Sequence, residues 1–253
     1  MLSSSEPLSP SLAEIRSMEE RAFRGWPALE SRDDAGWRLR FSGGYTKRAN
    51  SINALTPDAQ ADSETVGRLE AAYRARGLPP VWRLTPLAPP AIADRLADYR
   101  VIERSFVQVC ALPSTAASHA EVEIRPAPSA AWRAAFARHS PVTPAHRDVM
   151  ERMLSAIAQP VGFAFVEDAG QPMAMAIGAV DGAYMGLFDV LVMPAARRRG
   201  LARKVTESLY AWARGRGARF AWLQVVATNQ AALPLYAAQG FRTAYAYEYR
   251  VPA

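Results

Sequence analysis

Cysteine is nearly absent from this chain: Cys110 is the single one among 253 residues. One thiol cannot build an internal disulfide framework or a cysteine-based zinc cage. It sits in the apolar run SFVQVCAL, which predicts a buried, inert thiol rather than a nucleophile. Histidine is scarce as well. His119, His139 and His146 are too few and too scattered for the usual zinc spacings, so no metal site is expected. No apolar run reaches the ~18–20 residues that a membrane-spanning helix needs. The opening MLSSSEPLSPSLAE has neither the basic start nor the apolar stretch of a signal peptide, so the expectation is a cytoplasmic address without a membrane partner. G-x-S-x-G and G-x-x-x-x-G-K-[ST] are both missing, which removes the main sequence support for two common enzyme classes.

What is present suffices for a core. Half the residues are apolar or aromatic and 21% are charged, which excludes wholesale disorder and fits one large domain or two smaller ones. The net charge is +6 and the pI about 9.8, mostly from arginine. Such a balance favours anionic partners, among them nucleic acid, phosphorylated cofactors and acidic protein surfaces, without choosing between them.

Ser11 and Glu14 have capping-box spacing, and Leu12, Ile15, Met18, Ala22 and Trp26 follow one helical stripe that Pro27 stops. Trp37, Leu39 and Phe41 alternate with Arg38 and Arg40 as in a half-buried strand, and Gly43-Gly44 turns the chain into a second strand over 48–55. A helix over 64–77, a strand at 81–85, a helix at about 90–98 and a strand at 101–112 complete this half. The small, polar stretch 113–121 reads as a boundary between domains 1–112 and 122–253. Beyond it come a strand at 122–126, helices near 129–139 and 144–157, and strands at about 161–167, 172–180 and 183–193. A helix over 198–214, a strand at 219–226, a helix at about 230–238 and a strand at 242–251 follow. Strands alternating with helices argue for an α/β fold with some parallel pairing. The halves echo one another at an offset of about 140 residues: RARG before Trp82 and later Tyr99 matches RGRG before Trp222 and later Phe241, as in an internal duplication.

The most informative stretch is Leu191-Val192-Met193-Pro194-Ala195-Ala196-Arg197-Arg198-Arg199-Gly200-Leu201-Ala202: a strand, a tight basic loop and a helix start. First-turn amides have no internal acceptor and sit at the positive end of the helix dipole, while Gly200 and Ala202 allow close backbone approach. Together they suit a phosphate or pyrophosphate, supplemented by the arginines. The stretch resembles motif A of the GNAT superfamily of acyl-CoA-dependent N-acyltransferases, [Q/R]-x-x-G-x-[G/A], here Arg197-x-x-Gly200-x-Ala202 preceded by Val192 and Pro194. Downstream, VVAT leads to Asn229, Tyr236 and Gly240-Phe241, similar to motif B of the same superfamily, about 30 residues on and in the right order.

The resemblance covers 122–253 and implies a GNAT fold, a mixed and mostly antiparallel sheet flanked by helices, with the first half a degenerate tandem copy. It implies acetyl transfer from acetyl-CoA, as co-substrate, to an amine on a small molecule or peptide. Leu191, Val192 and Met193 would then border the pantetheine slot, and Asn229 would hold the pantetheine or the helix near it. A backbone N–H at a bulged or splayed strand end suits the developing oxyanion. Tyr236 would protonate the leaving thiolate, its alternative being a core aromatic. Asp189, a carboxylate in the apolar strand GLFDVLV, is the first candidate for the base, although it could instead orient substrate or sit at an exposed bulge. Tyr184, Glu167 and Glu248 are weaker candidates.

In the first half the counterpart of the basic loop reads TPDAQADSE. Asp58, Asp62 and Glu64 would repel a pyrophosphate, and Asp94 stands where Tyr236 would be, so one acyl-CoA site is expected. Lys47, Arg48 and Asn50 either contact substrate or form a solvated turn. A non-catalytic acyl-CoA sensor is the alternative function, and nucleic-acid binding is disfavoured because no reading helix or aromatic platform is recognisable. Monomer and homodimer remain equally open.

Overall fold

The computed structural model describes residues 8–140 and 142–253. The first half contributes α1 (Leu12–Gly25), β1 (Glu30–Asp34), β2 (Trp37–Phe41), β3 (Ile52–Ala54), α2 (Ser63–Arg74), β4 (Trp82–Leu84), α3 (Pro90–Arg95) and β5 (Arg100–Ala111). The second contributes β6 (Glu123–Arg125), α4 (Ala130–His139), α5 (Arg147–Ser155), β7 (Val161–Asp168), β8 (Gln171–Asp181), β9 (Tyr184–Val192), α6 (Leu201–Arg214), β10 (Phe220–Val226), α7 (Ala232–Ala238) and β11 (Arg242–Val251). Among the described residues no helix is long and apolar enough to cross a membrane.

Most elements lie where patterning places them, and the departures have local causes. The capping box forms: Glu14 N donates to Ser11 Oγ and Ser11 N to Glu14 Oε2. Strand β1 has no apolar alternation to announce it; ESRDD is a charged, exposed edge strand, a composition that discourages pairing with other chains. The strand expected over 48–55 is shorter. Lys47–Ala49 is a 3-10 turn, and Asn50 clamps the preceding loop by accepting from Ser42 N and Gly44 N and donating to Thr46 O. Helix 144–157 begins as a 3-10 turn at Pro144–His146. The helix expected from 198 starts at Leu201, because Arg198 (φ 63°) and Gly200 (φ 75°) are both left-handed. Arg40, expected to face solvent, is 3% exposed. It donates to Arg48 O, and to Phe23 O and Trp26 O at the C-terminal end of α1, where a cation complements the helix dipole.

The strands form one sheet in the order β1-β2-β3-β4-β11-β5-β10-β9-β8-β7-β6. Among the described residues, only β3–β4 and β9–β10 are parallel pairs. They occupy equivalent places: Trp82 pairs with Ile52, and Trp222 with Gly186. Each half also lends its last strand to the other, since β11 lies between β4 and β5, and β5 between β11 and β10. The fold is thus a tandem duplication with reciprocal strand exchange. Helix α6 packs Leu209 toward Gly178 on one face, while α1 brings Gly25 against Phe188; strand parity places these contacts on opposite faces of the sheet.

Beneath α1, Arg83 forms a buried ion pair with Glu19, which also accepts from Tyr245 OH at 2.6 Å. Arg83 further lies over the Tyr247 ring at 3.8 Å. The pair ties the first helix to strands from both halves. Removing one partner strands a buried charge, so Arg83→Met is expected to lower unfolding stability by about 3–5 kcal/mol. A urea unfolding midpoint measures this directly, and an unchanged midpoint would mean that Glu19 is satisfied without Arg83.

Candidate active site

Parallel pairing of β9 with β10 runs from Tyr184–Phe220 to Leu187–Leu223 and then stops. Strand β9 bulges there: the register against β8 jumps from Phe188–Ile177 to Leu191–Met175, leaving Asp189 and Val190 opposite Ala176. Asp189 takes φ 47°, a left-handed conformation costing a non-glycine residue roughly 1–2 kcal/mol. Strand β10 stays with β5 out to Val226, so the two parallel strands part. Regular pairing with β8 resumes at the far end of β9, where Met193 N donates to Met173 O. By alternation from Met193, the peptide group of Val192 turns away from β8 toward the gap.

A cavity of about 500 Å³ occupies that gap. Leu187–Leu191 and Gln224–Val226 form its strand walls, and Asn229, Ala232 and Tyr236 border it from the start of α7. Its other end is built by the first half: Gly44–Arg48, Glu103 and Ser105 line it, with His146, Tyr247 and Tyr249 beside them. Of the residues singled out from sequence, the cavity brings together Lys47, Arg48, Asp189, Leu191, Asn229 and Tyr236; Val192 and Met193 are not among its lining. Met193 is buried, and both its N–H and its carbonyl are engaged, the latter by Ala196 N.

The basic loop lies directly beyond β9. Pro194–Ala196 is a 3-10 turn, Arg197 is extended, and Arg197, Arg198 and Arg199 are exposed. Gly200 is the N-cap of α6 and, among the described residues, no side chain caps it. The first-turn amides of Leu201, Ala202 and Arg203 therefore lack an intrahelical acceptor. A Cβ at Gly200 would meet no described atom within 4 Å, so the turn into α6 has room around it. The counterpart at α2 is closed: Asp62 Oδ1 accepts from Thr65 N at 2.8 Å, and that bond lowers the carboxyl below its ordinary range. One helix carries its own anion; the other leaves the place free.

Tyr236 is 8% exposed and packs edge-on against Phe241. Burial first, and the charge of Asp189 second, push its hydroxyl up to about 12, so it keeps its proton at neutral pH. Asp189 Oδ1 accepts from Arg48 Nη2 at 3.0 Å, while Oδ2 is buried with no hydrogen-bond partner among the described residues. Burial is the largest single influence on the Arg48 guanidinium and lowers it, but Asp189 together with Tyr247 and Tyr249 more than offsets this and holds it above its ordinary value. Burial and Asp189 likewise raise Tyr45. Asn229 is exposed and accepts from Ala232 N at 3.1 Å, bracing the start of α7.

The weaker base candidates lie outside the cavity. Tyr184 stacks on Phe220 at the opposite end of β9, Glu167 is an exposed residue on β7, and Glu248 pairs with Arg104 and Arg250. Lys47 bonds Glu103 at 3.0 Å. Asn50 serves the loop clamp described above. Burial pushes the Cys110 thiol up to about 12, as expected of an inert cysteine. Among the described residues no three His, Cys, Asp or Glu side chains group as metal ligands. Tyr45, Glu103, His146, Tyr247 and Tyr249 were not singled out from sequence as site residues; only Tyr45 stands next to residues that were, between Gly43-Gly44 and Lys47.

The family described as "Probable histone acetyltransferase Rv0428c C-terminal" matches residues 12–250. "Uncharacterized N-acetyltransferase YobR" of Bacillus subtilis (strain 168) is 28% identical over 246 residues, spanning 94% of this chain and 98% of YobR. A GCN5-related N-acetyltransferase from Kribbella flavida superposes with a TM-score of 0.66 at 16% identity, covering 94% of this chain and 95% of that one. A tandem GNAT protein from the clavulanic acid biosynthesis pathway gives a TM-score of 0.63 at 10% identity, over 96% of this chain and 89% of the other. That likeness is one of fold, and it is to a protein with the same doubled architecture. With the family match running along nearly its whole length, the chain belongs to the Rv0428c C-terminal family and is a GNAT-type N-acetyltransferase.

Proposed function

We propose that the chain moves an acetyl group from acetyl-CoA to a primary amine by direct transfer in a ternary complex, with the second half carrying the acyl-CoA site. The observation that supports this most is a single cavity at the parting of β9 and β10, bordered by Asp189 and Tyr236, with the uncapped N-terminus of α6 directly beyond β9. The residues fit acetyl-CoA. Uncapped first-turn amides and Arg197–Arg199 suit the pyrophosphate, and Leu191, with Val192 next to it on β9, borders a slot for the pantetheine arm.

Bound acetyl-CoA supplies an activated acyl carbon: the amine nitrogen bonds to it, the C–S bond breaks, and the electron pair leaves with sulfur. The chain's own groups handle charge and protons. The Val192 peptide N–H that β9 turns into the slot offers a fixed donor to the carbonyl oxygen. Asp189 takes the proton that the ammonium must lose, Tyr236 gives its hydroxyl proton to the thiolate, and the second proton, shed by the nitrogen once it is acylated, passes to solvent, from which the Tyr236 oxygen is reprotonated. The two steps are coupled. Protonating Asp189 cancels one of the two causes that raise Tyr236, making the phenol a better acid when the thiolate needs it.

Residues 1–112, joined through 113–121 to 122–253, act as a degenerate copy that walls the acceptor end. The capped start of α2 is the reason for placing no second acyl-CoA site there. The acceptor class is found by incubating the chain with acetyl-CoA and separate panels of alkylamines, amino acids, aminoglycosides and peptides, reading thiol release and product mass. One acetylated product per CoA released is expected from one panel. Acetyl-CoA binding with no acetylation in any panel would leave the protein a sensor.

A further inference from the structure

We infer that Arg48, supplied by the first half, is a positioning residue for acyl transfer: it fixes the Asp189 side chain and, through it, the left-handed turn of β9 that aims the Val192 peptide group into the slot. Asp189 holds a conformation unfavourable for a residue with a Cβ, and such backbone persists only where surrounding contacts over-determine it. The contact available is Arg48. Its Nη2 bonds Asp189 Oδ1 at 3.0 Å, whereas Oδ2 has no partner among the described residues.

Arg48 is itself held at both ends. Its guanidinium lies over the Trp26 ring at 4.6 Å and near Phe188 at 6.0 Å, and these two rings stack on each other. Its carbonyl is gripped by the buried Arg40. The loop that carries it is fixed by the Asn50 clamp and by Trp26 Nε1 donating to Thr46 Oγ1 at 3.1 Å. A rigid chain of contacts thus runs from the core of the first half to the bulge in the second. It gives the first half a part in the reaction beyond walling the cavity.

The kinetic half of the test rests on the proposed acetyl transfer; the binding half does not. With n-butylamine as acceptor, Arg48→Ala is expected to lower turnover by ~10–100-fold, the scale of a small misplacement of reacting groups, with acetyl-CoA affinity within about twofold of the native chain. Arg48→Lys keeps the charge but cannot both stack and bond as a planar fork, so it should still lose roughly tenfold. Methylguanidinium is expected to refill the vacated place. It should restore much of the turnover of Arg48→Ala, and calorimetry should show saturable binding that weakens by at least ~10-fold in Arg48→Ala/Asp189→Ala. Unchanged turnover in Arg48→Ala, or equal methylguanidinium binding by the single and double variants, would overturn the inference. If the native chain acetylates no amine, the proposed function fails, and the methylguanidinium titration still decides whether Arg48 and Asp189 form one unit.

Discussion

Gly200→Glu is expected to abolish acetyl-CoA binding while the chain stays folded. The substitution sets a carboxylate in front of the uncapped amides of α6. Two unit charges about 4 Å apart at an effective dielectric of ~20 repel by about 4 kcal/mol. That corresponds to nearly 10³-fold in affinity. The fold should survive, because a Cβ at this position meets no described atom within 4 Å and the residue is exposed. Its φ of 75° still adds backbone strain of roughly 1–2 kcal/mol. Gly200→Ala isolates that strain: it should melt like Gly200→Glu but keep acetyl-CoA affinity within about tenfold of native. Calorimetric titration of both variants separates charge from strain, and equal affinities would mean that the pyrophosphate does not sit at α6.

Tyr236→Phe should leave acetyl-CoA affinity nearly unchanged and lower turnover by about 10²-fold, the low end for losing a general acid. The ring remains and packs on Phe241 as before, so neither stability nor the shape of the slot should change. Single-turnover kinetics with a saturating amine provide the measurement. A turnover equal to native would transfer the acid role to water and leave Tyr236 as a wall of the cavity. Because the hydroxyl keeps its proton at neutral pH, a loss of activity there would report the missing proton rather than a titrated phenolate.

The second half was legible because its chemistry is local. Strand, basic loop and helix start follow one another within Leu191–Ala202, and the structure folds them in that order, with Gly200 at the turn into α6. Tyr236 and Asp189 were visible for opposite reasons: one belongs to a spaced motif, the other is a charge in an apolar strand. The capping box at Ser11 and the echo of Trp82 with Trp222 were equally local.

What escaped is long-range. Nothing in the run 100–111 says that it will lie between β10 and β11, since strand partners are set by tertiary packing and not by alternation. That exchange sets Glu103 and Ser105 beside the tyrosines of β11 and builds the acceptor end. Arg48 was visible as a residue that either contacts substrate or sits in a solvated turn; that it meets Asp189, 141 positions away, is a property of the fold. Arg40 shows the same limit from the other side. Alternation sends it to solvent, and the arrival of α1 over that face buries it.

Where acetyl-CoA sits is decided by a crystal structure of the chain soaked with CoA. The pyrophosphate is expected at the first-turn amides of α6, beside Arg197–Arg199, with the pantetheine arm between β9 and β10 and the thiol within hydrogen-bonding reach of the Tyr236 hydroxyl. Density for CoA between β3 and β4, or anywhere that leaves the Gly200 turn empty, would contradict this placement.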